Sequence, residues 1–324
     1  MRRIFRKLKN SFANVSFLPP GPAAAGPPPS NAATIAPPPP FQILSHEPLI
    51  VVSPNFLDDQ SCQTIIQAAE TLGNRWTSSD TDHDVKYELS SYYSNDDPQS
   101  SAQLLESVYG AIDAIVGVPR IPQDVNPKVH HYQAPPSAAR APSNGNRFPS
   151  GLHIDTNARP NRYCTAILYL SSLEKEEDGC TVFPAARPLT TATPTHNKVQ
   201  VAATSLLDNC VLHTNHVDTG DTQVQVLLDA GACQSTVGVS VRPEAGKLLI
   251  FFTCQDDGVP DPLSFHGAAK VQPGPEHSQG KFHLQIFKEL PQGVNPAFFV
   301  KEKRDRVKSL CAQHESILKN TYST

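Results

Sequence analysis

Apolar residues recur along this chain with two different periods, and the switch between them divides it. Leu49-Ile50-Val51-Val52 is a continuous apolar run that predicts a strand. Cys62, Ile65, Ile66, Ala69 and Leu72 then fall at helical spacing, behind Asp58 as an N-cap and ahead of Gly73 as a stop. A second helix is predicted where Ala102, Leu105, Val108, Tyr109, Ile112, Ile115 and Val116 form a stripe before Gly117, with Asp97 as cap and Pro98 at the first helical position. Tyr109 lies inside that stripe and reads as core. From Lys128 the pattern changes to short strands: Lys128–Gln133, Tyr163–Ser171, Cys180–Phe183, Gln223–Leu228, Thr236–Val241, Lys247–Phe252 and Lys281–Phe287. Turns such as Asp178-Gly179 and Glu244-Ala245-Gly246 separate them. Helical spacing returns beyond Pro291. There Asn295 caps, Pro296 comes first, and Val307, Leu310, Cys311, His314, Ile317 and Leu318 line one face opposite a Lys/Arg/Glu-rich, solvated one. Helices first, many short strands after them and a last helix predict an α+β fold with a two-sheet jelly-roll core and a helical flank.

Composition sets the first 45 residues apart. No acidic residue precedes Glu47, Arg2, Arg3, Arg6, Lys7 and Lys9 load the start, and ten prolines lie between Pro19 and Pro40. Such a stretch buries too little apolar area to offset the entropy of ordering it, so it is expected to be disordered or polyproline II in character. Ile4, Phe5, Leu8 and Phe12 among the basic residues leave three readings open: a solvated tail, a surface-binding patch and an organellar targeting helix. Compartment therefore stays open between cytoplasm and organelle. A net charge of −4 gives no basic field for nucleic acid, and no apolar run reaches the ~20 residues needed to span a bilayer. Seven cysteines without a Cys-x-x-Cys pair fit scattered structural thiols better than a zinc ribbon or a disulfide scaffold.

The chemistry concentrates at Gly151-Leu152-His153-Ile154-Asp155-Thr156. In an extended strand, residues i and i+2 share a face about 7 Å apart, so His153 and Asp155 are placed to aim an imidazole nitrogen and a carboxylate oxygen at one ion. His266, in Asp261-Pro262-Leu263-Ser264-Phe265-His266-Gly267, is the third candidate. Two histidines and a carboxylate with open positions form the facial triad of non-haem Fe(II) oxygenases. A lone His-x-Asp is a weak signal, more often chance than site. His130-His131 offers two more imidazoles, but strand neighbours face opposite ways, so the pair reads as structural. The stretch from 187 to about 222, rich in Thr and Asn, reads as a surface insertion with solvated His196, His213 and His216.

At several independent places the sequence resembles the 2-oxoglutarate- and Fe(II)-dependent dioxygenases, and within them the prolyl 4-hydroxylase-like branch. The resemblance runs from about Pro48 to Leu290. PLIVVSPNFLDDQSC is similar to the family's opening strand and first helix, and VHHYQAPP followed by GLHIDTN to the strand with a tyrosine and the His-x-Asp. YCTAILYLSS with DGCTVFP is similar to the next strand pair. VRPEAGKLLIFF, DPLSFHGAAKV and GKFHLQIFKEL are similar to the closing section with the distal histidine and a basic residue.

What the resemblance implies follows residue by residue. The fold would be a double-stranded β-helix (jelly-roll) flanked by N-terminal helices and a C-terminal helix. Its parts would be an N-terminal segment 1–45, a dioxygenase domain 46–290 (helical support 46–125, core 126–290, insertion about 187–222) and a C-terminal amphipathic helix 291–324. His153, Asp155 and His266 match the iron ligands. Lys281 matches the lysine that grips the far carboxylate of 2-oxoglutarate, a job suited to an ammonium on a long stem. The gap from His266 to Lys281 is long, with Pro273-Gly274-Pro275-Glu276-His277 inserted, so Lys270 and Lys288 stay as alternative anchors. Tyr132 and Tyr169 match positions that contact the cosubstrate. The implied cofactors are Fe(II), 2-oxoglutarate and O2, with ascorbate to rescue oxidised iron. The implied reaction is hydroxylation of an unactivated C–H bond, first of a prolyl residue in a peptide or protein. Another amino-acid side chain or a small molecule is the runner-up, and a catalytically silent jelly-roll binding module the reading from another class.

Overall fold

A computed structural model of the chain describes residues 40–78, 81–89, 99–118, 128–132, 152–156, 161–173, 179–189, 200–203, 238–269, 271 and 280–321. The first 39 residues, Asp97, Pro98, the loop through Ser150, His196, His213, His216, the expected strand Gln223–Leu228, Lys270 and Pro273–His277 lie outside the described residues.

The first strands are β1 (Gln42–His46) and β2 (Leu49–Ser53), followed by helix α1 (Asp59–Leu72). The Asp58 carboxylate accepts from the Ser61 amide at 2.8 Å, which makes it the expected N-cap. Next come β3 (Asn74–Ser78), β4 (Thr81–Glu88) and α2 (Gln99–Val116). The strand region then runs β5 (Lys128–Tyr132), β6 (Arg162–Tyr169), β7 (Thr181–Phe183), β8 (Val239–Val241), β9 (Leu248–Phe252), β10 (Gly267–Ala268) and β11 (Lys281–Glu289), before α3 (Pro296–Thr321). Among the described residues, no helix is long and apolar enough to cross a membrane.

Two antiparallel sheets result. The larger is ordered β1-β2-β9-β6-β11-β5-β4-β3 and the smaller β10-β7-β8. Strand alternation gives the large sheet two different faces. Its outer face carries Leu168, Leu248, Ile250, Phe282 and Leu284, which pack with Ile65 of α1 and Ile112 of α2 in the main core. Its inner face carries Ile50, Ile167, Tyr169, Leu249 and Phe251, which meet Phe183 and Val239 of the small sheet. Each large apolar side chain buried this way contributes roughly 1.5–3 kcal/mol. The α+β jelly-roll architecture is therefore present.

The structure adds strands that the sequence pattern did not predict. β1 falls inside the stretch assigned to the N-terminal segment 1–45, so the chain joins the sheet by Gln42. Its alternation is short, with only Ile43 and Leu44 apolar between polar neighbours, and pairing with β2 supplies what propensity does not. The β3–β4 hairpin was not expected either, because Ser, Asp and Thr dominate its turn and hide the alternation of Val85 and Tyr87. On α3 the described residues opposite the apolar stripe are exposed, as expected, whereas the charged Arg304 lies on the buried face with Val300, Val307 and Cys311. Arg304 is buried and donates to the carbonyls of Cys254 at 2.7 Å and His46 at 3.2 Å, while its Nε faces Asp256 at 2.8 Å. Arg304 thus ties the last helix to the sheet.

Strand β11 crosses the centre of the large sheet, and its parity sorts two lysines. Phe282, Leu284, Ile286 and Lys288 alternate onto the helical side, and the buried Lys288 ammonium meets Asp113 of α2 at 2.6 Å. Removing one partner of a buried ion pair strands the other charge, at a cost of about 3–5 kcal/mol, whereas replacing both by apolar groups is often neutral. Asp113→Ala is expected to lose about 3 kcal/mol in urea unfolding, and Asp113→Leu combined with Lys288→Met to recover most of that.

Candidate metal centre

His153 and His266 stand far apart in sequence and opposite each other in space. Each donates its backbone N–H to the other's carbonyl at 3.0 Å, an antiparallel bridge beside β10. The imidazole centroids are 4.5 Å apart. Asp155 sits at a turn rather than on a continuous strand, and its carboxylate folds back: Oδ1 is 3.4 Å from Nε2 of His153 and Oδ2 3.6 Å from Nε2 of His266. One ligand atom from each of the three residues lies within 4.8 Å of the others.

Neighbouring side chains fix how these groups point. Thr165, on the inner face of β6, donates its hydroxyl to Oδ2 of Asp155 at 2.7 Å. The Ser264 carbonyl lies 3.0 Å from Nδ1 of His266, so the proton belongs on Nδ1 and the Nε2 lone pair faces the carboxylate. Phe251 meets the His266 ring edge-on at 4.7 Å, and Phe183 stacks on it at 5.3 Å. Access is one-sided: the side chains of Asp155 and His266 are each 4% exposed and that of His153 is 28% exposed.

Charge states suit a divalent cation. Burial pushes the His266 pKa down to about 4, against the pull of Asp155, so the ring is neutral at ordinary pH. Burial pushes Asp155 the other way, but the His266 and His153 imidazoles and the Thr165 hydroxyl outweigh it and hold the carboxyl below the usual range. An ionised carboxylate and the neutral His266 imidazole are deprotonated ligands of the kind a metal needs. Two nitrogens and one oxygen, with room on the His153 side, fit Fe(II) in the facial-triad arrangement.

The remaining expected residues lie along the inner face of the large sheet. Lys281 is 1% exposed and donates to the Gly179 carbonyl at 2.6 Å. Its ammonium lies 5.5 Å from the centre of the Tyr169 ring and 5.7 Å from that of Tyr132. The Tyr169 hydroxyl donates to Thr181 at 2.7 Å and so links the two sheets. Gly179 has φ +59°, and a Cβ there would come within 2.5 Å of Leu173, so this turn requires glycine. Lys288 points to the helices and is excluded as an alternative to Lys281, while Lys270 lies outside the described residues. His130 and His131 face opposite sides: His131 stacks on Phe282 of the outer core, and His130 points inward.

Sequence reasoning passed over Thr165 and Ser264. The signal for Thr165 is a polar residue two before Ile167 on an inward row; Ser264 acts through its carbonyl, which no side-chain pattern reveals.

Two histidines and a carboxylate converging beside a buried lysine have the ligand set of the non-haem Fe(II) facial triad. No protein-family model matches the chain. It is 29% identical over 131 residues to prolyl 4-hydroxylase 2 of Arabidopsis thaliana, a match covering 40% of this chain and 33% of that one. It is 24% identical over 259 residues to prolyl 4-hydroxylase 5 of the same plant, covering 76% of this chain and 72% of that one. The chain thus spans about a third of the length of the first of these relatives. A viral collagen prolyl hydroxylase from Paramecium Bursaria Chlorella virus-1 overlays on 74% of the chain and 94% of its own, at 12% identity and a TM-score of 0.38. The chain is thus similar, at 24–29% identity, to proteins named prolyl 4-hydroxylases.

Two measurements check the surroundings of the triad. Thr165→Val should weaken Mn(II) binding about tenfold in calorimetric titration, the usual effect of removing a group that orients a metal ligand. Asp261 caps the turn leading to His266 by accepting from the Leu263 amide at 2.9 Å. Burial pushes its pKa up to about 6, against the Leu263 bond and Arg304. The folded state therefore keeps this proton to higher pH than the unfolded chain, and stability falls as pH rises from about 4 through about 6. Against Asp261→Asn, the natural chain should lose up to about 3 kcal/mol over that window in pH-dependent urea unfolding.

Proposed function

We propose that the chain is an Fe(II)- and 2-oxoglutarate-dependent dioxygenase that hydroxylates an unactivated C–H bond, with a prolyl residue of a peptide or protein as its first candidate substrate. The observation that carries this reading is the convergence of His153, Asp155 and His266 ligand atoms within 4.8 Å, with buried Lys281 on the adjoining inner wall.

His153, Asp155 and His266 would hold Fe(II), and Lys281 would seat the far carboxylate of 2-oxoglutarate. When bound, the metal and cosubstrate supply the oxidation of a C–H bond by dioxygen, with 2-oxoglutarate ending as succinate and CO2. The protein's own residues do the positioning. Thr165 holds one carboxylate oxygen so that Asp155 cannot rotate, and the Ser264 carbonyl fixes the His266 tautomer. Keeping the carboxylate at position 155 matters because a small residue there would open a further coordination position. Phe183, Phe251 and Tyr169 wall the inner side and exclude water. The part-exposed edge at His153 leaves the side from which a peptide would approach. Tyr132 and Tyr169 flank the Lys281 ammonium and would line the cosubstrate's far end. Ascorbate is the expected reductant for metal that becomes oxidised without substrate.

Prolyl substrates come first because the relatives at 24–29% identity are named prolyl 4-hydroxylases. The test has two stages. Iron-dependent conversion of 2-oxoglutarate to succinate should be present in the natural chain and at least 10³-fold lower in Asp155→Ala, in keeping with loss of a metal ligand. Turnover with a pool of proline-rich peptides, read by mass spectrometry, should add one oxygen to proline. Succinate formation with the oxygen found on another side chain or a small molecule would keep the enzyme and reject the prolyl substrate. No iron-dependent succinate at all would leave a binding module.

A further inference from the structure

The inner wall beside Lys281 carries two histidines that the triad does not use. His130 and His283 are directly opposed across the β5–β11 ladder, with ring centroids 4.9 Å apart and planes 15° apart. Tyr132 is stacked on His283 at 5.6 Å. Register puts His283 on the same face as Lys281, two residues along β11, and opposite Tyr169 of β6. Both imidazoles are more than nine-tenths buried, at 7% and 5% exposure, and Nδ1 of each is sealed from solvent without a hydrogen-bond partner among the described residues.

Stacking alone does not call for this choice. A phenylalanine fills such a slot without leaving a buried polar atom unmatched, and the chain uses Phe282 on the other face of the same strand, stacked on His131 at 3.7 Å. An unmatched buried nitrogen lowers stability, so a site that keeps two of them side by side reads as one completed by something bound. Burial holds both rings neutral, with Lys86, Lys128 and Lys281 adding to the effect at His130. Each ring therefore offers one N–H and one lone pair. The neighbouring Lys281 ammonium already selects an anion, and a carboxylate has more acceptor positions than one ammonium fills.

We propose that His283 is a contact for the cosubstrate, its Nδ1 donating to the carboxylate seated on Lys281, and that His130 is a positioning residue that holds the His283 ring by stacking. This rests on the dioxygenase reading above. It adds to that reading a neutral donor beside the charged anchor, so affinity for the dicarboxylate is shared between β5 and β11 rather than carried by Lys281 alone.

The test uses the full chain loaded with Mn(II), and binding of 2-oxoglutarate followed by calorimetry. His283→Phe keeps the stack and removes the nitrogens. It should bind 2-oxoglutarate about tenfold more weakly, leave Mn(II) affinity unchanged, and leave the melting temperature of the metal-free chain equal or higher. His283→Gln, which restores a donor, should recover part of the affinity. His130→Ala, which removes the stacking partner, should give a smaller loss, about threefold, and provides the readout if His283→Phe does not fold. Unchanged 2-oxoglutarate affinity in the folded variants would overturn the assignment of His283 while leaving the dioxygenase reading intact. Failure of the natural chain itself to bind 2-oxoglutarate would overturn that reading and this one together.

Discussion

Two backbone hydrogen bonds, from His153 to His266 and back, set the geometry on which the site depends. A mutually bonded antiparallel pair holds its Cα atoms about 5.5 Å apart. The spacing of the two imidazoles is therefore a property of the main chain, and side-chain packing has only to choose their rotation. Phe183 and Phe251 do this for His266. Asp155 comes into place because the chain turns immediately after the bridge, and Thr165 ends its remaining freedom. The same bridge adjoins β10, which pairs with β7, so the ligands are an extension of the small sheet's edge rather than an attachment to it.

The large sheet adds a second constraint through β11. Strand alternation there sends Lys281, His283 and Gln285 inward and Phe282, Leu284, Ile286 and Lys288 outward. An even separation from Lys281 keeps a side chain on the inner wall, and an odd one removes it. Lys288, seven residues on, consequently meets Asp113 of α2, at a distance that marks a charge-assisted bond. A one-residue slip of β11 would exchange the two faces and put both lysines among the wrong neighbours. Register is held on one edge by β5 and on the other by β6.

Much of this was legible in the sequence because the relevant signals are periodic. The apolar stripes of α1 and α2, the runs at Leu49–Val52 and Leu248–Phe252, and the capping Asp58 all state a local preference that the packing keeps. The approach of His153 to His266 was not available from periodicity, since no local rule links residues so far apart; His266 was a candidate from ligand chemistry, and resemblance to a family supported it. β1, β3 and β4 were missed for the opposite reason. Their sequences are polar enough to suit loops, and pairing with a neighbour already in place supplies what propensity withholds. Arg304 shares the buried face of α3, an unusual place for a charged side chain. Here two carbonyls and the Asp256 carboxylate surround its guanidinium.

The two faces of the large sheet also divide the energetics. The outer face is apolar and continuous with the helices, and nearly every group buried there contributes to stability. The inner face carries a buried ammonium, on Lys281, and two imidazoles with unmatched nitrogens, on His130 and His283. Each unmatched buried polar atom costs about 1–3 kcal/mol. A fold selected for stability alone would fill that wall with Val and Phe, as it does around Phe251. The two unmatched imidazole nitrogens, on His130 and His283, lie beside Lys281, where a dicarboxylate would meet them, and the packed outer core offsets the stability they cost. On β11 the packed core and the wall proposed to meet the cosubstrate thus lie a single residue of register apart.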